Sequence, residues 1–144
     1  RERVRPLSGD KLAFLQEEIK TLLAAGVIRR FASPWASPIH IVTKQDGTFR
    51  ACGDYRRLNA ITIPDSYPMH LIHDVLTRLS TATIFSTLDL AKAYHQIPVT
   101  NADVSKTAII TPLGLFEYLR MPFGLRNASQ SFQRHIDNVL SGIS

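Results

Sequence analysis

Cysteine is almost absent from this chain: Cys52 stands alone among 144 residues. One thiol excludes a disulfide framework and a four-cysteine zinc site, and it fits a reducing, intracellular compartment. No run of about 18 apolar residues occurs, so no membrane-spanning helix is expected. The opening Arg-Glu-Arg-Val-Arg-Pro is charged where a secretory signal peptide would be apolar. Glycine-rich phosphate loops of the Walker or dinucleotide type are missing. There is also no internal repeat or low-complexity tract, which argues against solenoids and linkers. Ser/His/Asp catalysis has no signature beyond the presence of those residue types. What is there is a 44% hydrophobic composition, enough for a packed core and too much for wholesale disorder. The length suits one domain or a fragment of something larger.

The charge is unevenly placed. Residues 1–57 carry 11 basic and 6 acidic side chains, whereas residues 58–144 carry 6 of each. The whole net charge of +5 therefore sits in the first part of the chain. A polyanion such as nucleic acid could contact that part, and a solvated basic face would read the same way.

Periodicity predicts an α+β fold. Leu12, Leu15, Ile19, Leu22 and Leu23 form one stripe of a helix from about Asp10 to Ala25, which Gly26 would end. Two prolines make Ser33–Pro38 irregular. Strands are expected near Ile39–Lys44 and Thr48–Gly53, joined through an Asp46-Gly47 hairpin signal. A second helix is expected over His70–Leu79, a β-branched and aromatic strand over Thr83–Asp89, and a second hairpin around Pro112-Leu113-Gly114. A last helix would start at Asn127, with Asn127 and Gln130 as a capping box and Phe132, Ile136, Val139 and Leu140 as its apolar stripe. The chain stops shortly after that helix, which hints at truncation.

Several residues could carry chemistry. Asp89 ends an apolar strand pattern, where a carboxylate could hold a divalent metal or simply cap the following turn. Lys44 and Arg50 flank the Asp46-Gly47 turn, with Arg56 and Arg57 downstream and Phe49 and Tyr55 interleaved. Such an arm could close on phosphates and stack on bases, or its charges could merely keep a hairpin soluble. His70 and His73 could share a helix face, but no third ligand stands at a suitable spacing. Cys52 suits a small core residue. Asn127-Ala128-Ser129 matches a glycosylation sequon, although helix capping explains Asn127 better.

Taken in order, the motifs are Ser33-Pro34-Trp35-Ala36-Ser37-Pro38, Lys44-Gln45-Asp46-Gly47-Thr48-Phe49-Arg50 and Cys52-Gly53-Asp54-Tyr55-Arg56-Arg57-Leu58-Asn59. They continue with Tyr67-Pro68, Phe85-Ser86-Thr87-Leu88-Asp89-Leu90, Ala93-Tyr94-His95-Gln96-Ile97-Pro98 and Lys106-Thr107-Ala108. Met121-Pro122-Phe123-Gly124-Leu125, Asn127-Ala128 and Ser131-Phe132-Gln133-Arg134 complete the series. The string resembles the reverse transcriptase of gypsy-type LTR retrotransposons over nearly its whole length.

That resemblance implies a right-hand polymerase, of which this chain would be the fingers plus the N-terminal part of the palm, an incomplete domain. It divides the chain into an N-terminal extension and fingers (1–82), a first palm strand and catalytic motif (83–97), a fingers and pocket hairpin (98–125) and a palm helix (126–144). Asp89 matches the first catalytic aspartate, a ligand of Mg²⁺ together with the Leu90 carbonyl. Lys44 and Arg50 match residues that grip the incoming triphosphate. Ala93 and Tyr94 match the nucleotide pocket, with Tyr94 as the ring that rejects a 2′-hydroxyl. Arg56 and Gly124 match template contacts. Phe123, in the pocket loop, stands where retroviral relatives carry Gln, and Ser129 where many members carry Pro or Ala. The implied partners are an RNA or DNA template with primer, dNTPs, and the rest of the palm, thumb and ribonuclease H regions, with no membrane.

The family's Tyr-x-Asp-Asp hairpin, carrying two further catalytic carboxylates, would follow residue 144. The chain alone is therefore expected to be inactive, and prone to self-association through uncovered apolar surface. An intracellular site is expected, in cytoplasmic virus-like particles or the nucleus. The alternative is a retrotransposon-derived, non-catalytic nucleic-acid-binding or interaction module.

Overall fold

The computed structural model describes residues 2–143. The first element, α1 (Gly9–Ala24), buries Leu15, Ile19 and Leu22, three members of the predicted stripe. It ends as the sequence suggests. Gly26 takes a left-handed φ of 67°, the Gly26 amide donates to the Leu23 carbonyl, and the Val27 amide donates to the Leu22 carbonyl at 2.9 Å. This paired closure satisfies carbonyls that the last helical turn leaves free.

The chain then enters a five-stranded sheet, formed by β1 (Ile28–Arg30), β2 (Ser37–Thr43), β3 (Phe49–Gly53), β4 (Ile109–Thr111) and β5 (Gly114–Tyr118). Its order is β1-β5-β4-β2-β3, antiparallel throughout except for the β2–β4 pair. Both expected hairpins are present. In the β2–β3 hairpin, Val42 faces Arg50 and Thr43 faces Phe49, and Gly47 has φ 81° at the turn. The Asp46 carboxylate accepts from the Thr48 amide at 2.9 Å and the Thr48 hydroxyl at 2.6 Å, which tightens the turn.

The core lies between α1 and the sheet. Leu15, Ile19 and Leu22 pack with Val27, Ile28, Ile39, Ile41, Ile109, Phe116, Tyr118 and Tyr55. The remaining helices are α2 (Arg56–Ile61), α3 (Ile72–Leu79), α4 (Asn101–Val104) and α5 (Ala128–Leu140), with a 3₁₀ turn at Ala93–Gln96. Among the described residues no helix is long and apolar enough to cross a membrane.

Three expectations are corrected. Ser37 and Pro38 belong to β2 rather than to an irregular segment. Proline is tolerated there because the Ser37 amide and the Pro38 carbonyl still bond, to the Ala108 carbonyl and from the Asp54 amide. Thr83–Asp89 is not a strand. No described segment pairs with it, and Ile84 and Leu88 are 88% and 87% exposed, so β propensity finds neither a ladder nor a packing surface. Finally, Asn127 makes no side-chain capping bond. Its side-chain Nδ2 donates to the Ile63 carbonyl at 2.8 Å and its Oδ1 accepts from the Asp65 backbone amide at 3.0 Å. It pins the Pro64 segment to the start of α5, and the Gln130 side-chain oxygen is left buried without a partner.

Candidate nucleotide site

A cleft of about 230 Å³ opens between the β2–β3 hairpin, α1 and the Pro122-Phe123 loop. Its walls include Lys44, Arg50, Cys52, His95, Tyr118 and Phe123. Lys44 and Arg50 are exposed cations at the two ends of the hairpin turn. The ladder sets both there, because pairing of Val42 with Arg50 fixes which residues flank the loop. Phe14 from α1 packs against Phe49 with ring centroids 5.7 Å apart, and both rings line the cleft. A cleft with cations at its mouth and aromatic walls suits an anion attached to a flat or apolar body.

Tyr94 borders this cleft through Phe123. Their centroids are 4.9 Å apart, and Phe132 of α5 lies 5.5 Å from Tyr94 on another side. The backbone reaches this position through Lys92, the one described non-glycine residue with a left-handed φ, at 48°. Ala93 opens the 3₁₀ turn that carries Tyr94. His95 follows, with centroids 6.2 Å from Phe123 and 6.4 Å from Tyr118. Burial and the nearby Lys92 charge lower the His95 pKa, which keeps the imidazole neutral at neutral pH, and its Nδ1 is buried without a partner.

The pocket loop is held by unusual means. Gly124 has φ 92°, and a Cβ there would meet the Gly53 carbonyl oxygen at 3.3 Å. Its own carbonyl accepts from the Asn59 side-chain amide at 2.8 Å, while the Asn59 side-chain oxygen accepts from the Arg126 amide at 2.9 Å. One asparagine thus clamps both sides of Leu125. Beneath the loop Tyr55 is fully buried and donates to the Thr107 carbonyl at 2.8 Å, and burial pushes its phenol pKa well up.

Arg56 does not project freely. Its Nε and Nη2 each donate to Asp54 at 2.8 Å, and Arg5 donates to the same carboxylate at 2.6 Å. These guanidinium contacts, that of Arg56 first, hold the Asp54 pKa far below the usual carboxylate range. Asp89 lies apart from the cleft walls on an exposed stretch, with Leu90 41% exposed beside it. Among the described residues no three His, Cys, Asp or Glu side chains cluster as a metal site.

The structure therefore gathers Lys44, Arg50 and Phe123 around one cleft, with Ala93 and Tyr94 at its border and Gly124 behind it. It leaves Asp89, Leu90 and Arg56 outside. The sequence reading gave no site role to His95 or Asn59, although His95 directly follows Tyr94 in a motif already singled out. A larger cavity of about 570 Å³, walled by Leu58, Ile61, Ile97, Met121 and Leu125, contains none of the expected site residues.

Residues 42–144 match the model of the reverse transcriptase (RNA-dependent DNA polymerase) family. The chain belongs to that family. It is 42% identical over 140 residues to the Retrovirus-related Pol polyprotein from transposon 297 of Drosophila melanogaster, covering 94% of this chain and 13% of the relative. To the corresponding polyprotein from transposon gypsy of the same organism it is 44% identical over 133 residues, covering 88% and 13%. This reverse transcriptase family chain thus spans only about an eighth of these relatives' length. Its fold matches native foamy virus protease–reverse transcriptase with a TM-score of 0.81 and 26% identity, over 99% of this chain and 19% of that one. The foamy enzyme in complex with double-stranded DNA matches with a TM-score of 0.76 and 25% identity, over 99% and 24%.

Proposed function

We propose that the chain forms the fingers and first palm segment of an RNA-directed DNA polymerase that extends a primer with dNTPs on an RNA or DNA template. The observation that carries this is the convergence of Lys44, Arg50 and Phe123 on one cleft, with Tyr94 packed against Phe123. In this reading Lys44 supplies a point charge and Arg50 a flat fork to the triphosphate, and Arg50 also stacks over the base. Tyr94 bounds the sugar, Phe123 packs against it, and Ala93 gives the ring room. Arg56, oriented by Asp54, and the Gly124 loop meet the template. Residues 1–82 and 98–125 act as fingers with an N-terminal extension and the pocket hairpin, and 83–97 and 126–144 as palm, in an intracellular setting.

Asp89 lies on an exposed stretch, its carboxylate and the Leu90 carbonyl are hard oxygen donors of the kind Mg²⁺ accepts, and the site would take further carboxylates from outside this chain. Bound Mg²⁺ would activate the primer 3′-hydroxyl and neutralise triphosphate charge. One carboxylate does not hold two such ions, so the chain alone is proposed to be inactive. The test is primer extension on an RNA template, run with this chain and with a chain continued through the palm and thumb as in the relatives. Extension by the longer chain only, abolished by Asp89→Asn, is the expected result. Synthesis that survives Asp89→Asn would remove Asp89 from catalysis. No synthesis in either would favour the non-catalytic binding module, which the basic first 57 residues would also suit.

A further inference from the structure

The Tyr94 and Ser129 hydroxyls lie 3.2 Å apart, and either can donate. They come from different elements, Tyr94 from the 3₁₀ turn and Ser129 from the first turn of α5. Phe123 and Phe132 touch the Tyr94 ring at tilted angles of 39° and 58°. Such apolar contacts are non-directional and tolerate sliding. The hydroxyl contact is directional, and it ties the far end of the ring to a helix. A phenylalanine at position 94 would keep the two ring contacts and lose that tie.

We propose that Ser129 is a positioning residue for Tyr94, fixing the pose in which the ring meets the nucleotide sugar and so sharpening the choice of deoxyribonucleotides over ribonucleotides. This rests on the reading of Tyr94 as the sugar-facing ring. A 2′-hydroxyl enters only if the ring swings away. That swing breaks the bond to Ser129 and lifts the ring from Phe123 and Phe132. A ribonucleotide then meets a cost that a deoxyribonucleotide does not, and the hydroxyl tie is one part of it. Ser129 itself touches no substrate. Because either oxygen can donate, threonine preserves the tie and alanine removes it.

The experiment uses the active polymerase that contains this chain, measuring kcat and KM for one deoxyribonucleoside triphosphate and its ribo counterpart. Ser129→Ala should lower the preference for the deoxy form by roughly threefold to tenfold, the range of one hydrogen bond. The change should appear as a lower KM for the ribonucleotide rather than as a general fall in kcat. Tyr94→Phe should give the same loss, the double variant should lose no more than either single one, and Ser129→Thr should restore the ratio. Alanine favours helix, so Ser129→Ala does not threaten α5. Tyr94→Ala separates the two levels of the idea. If it collapses selectivity while Ser129→Ala leaves it intact, the positioning role is overturned and the ring assignment survives. If Tyr94→Ala leaves selectivity intact, the ring assignment fails and takes the positioning role with it.

Discussion

At the scale of single residues, the ground under the cleft is built from a tyrosine between two glycines. Tyr55 fills the space below Gly53, where an added Cβ would approach its ring carbons to 2.6 and 2.8 Å, and it also lies against Gly124. Gly53→Ala should therefore destabilise the protein by about 1–3 kcal/mol through overpacking, read by urea unfolding. An unchanged midpoint would mean that the ring has room to move. Asp54 gives a pH signature. Its pKa is lowered in the folded state by Arg56 and Arg5, so its stabilising contribution is complete above the ordinary value of 3.8 and is lost as pH falls below it toward the folded value. Acid unfolding of Asp54→Asn should start from a lower stability at neutral pH and fall less steeply below about pH 4. Parallel curves for the two proteins would deny the ion pairs that role. The sequence placed Arg56 among candidate contacts with Asp54 only two residues away, but Arg5, the second guanidinium on that carboxylate, lies 49 residues from it and only the fold brings it there.

Among elements, those with strong local signals were the ones readable in advance. The α1 stripe and its Gly26 ending, and the two hairpins with their turn glycines, follow from local periodicity and backbone freedom. Strand β1, three residues long, and α2, six residues with no buried side chain, are too short to show a period. The reverse error occurred at Thr83–Asp89, where strand-like composition met no partner. The candidate site divides the same way. Lys44 and Arg50 were legible because they flank a turn, whereas Asn59 binds groups more than 60 residues away and leaves no local mark. Asn127 also works at long range, tying the Pro64 segment to α5. Asn127→Ala should cost about 1–2 kcal/mol and speed amide exchange at Asp65, whose amide loses its acceptor. Unaltered exchange at that amide would show that the segment is held by its other ties, chiefly Arg134, which donates to both Asp65 oxygens at 3.0 and 2.7 Å.

For the molecule as a whole, the apolar surface is lopsided. The core side is closed, yet Ile63, Leu71, Ile72, Ile84 and Leu88 are between 66% and 88% exposed along one continuous stretch of chain. So much uncovered hydrocarbon should drive self-association, seen as sedimentation that shifts with protein concentration. Ile84→Asp combined with Leu88→Asp should reduce the shift, and a monomer at every concentration would contradict the expectation. The sheet adds a further consequence. All five strands lie before residue 54 or after residue 108, so the exposed run of residues 68–92 crosses the surface without contributing to the ladder. A protease that nicks this run would leave two peptides still joined through the β2–β4 and β1–β5 pairs. The cut protein should migrate as one particle in native buffer and as two pieces in denaturant.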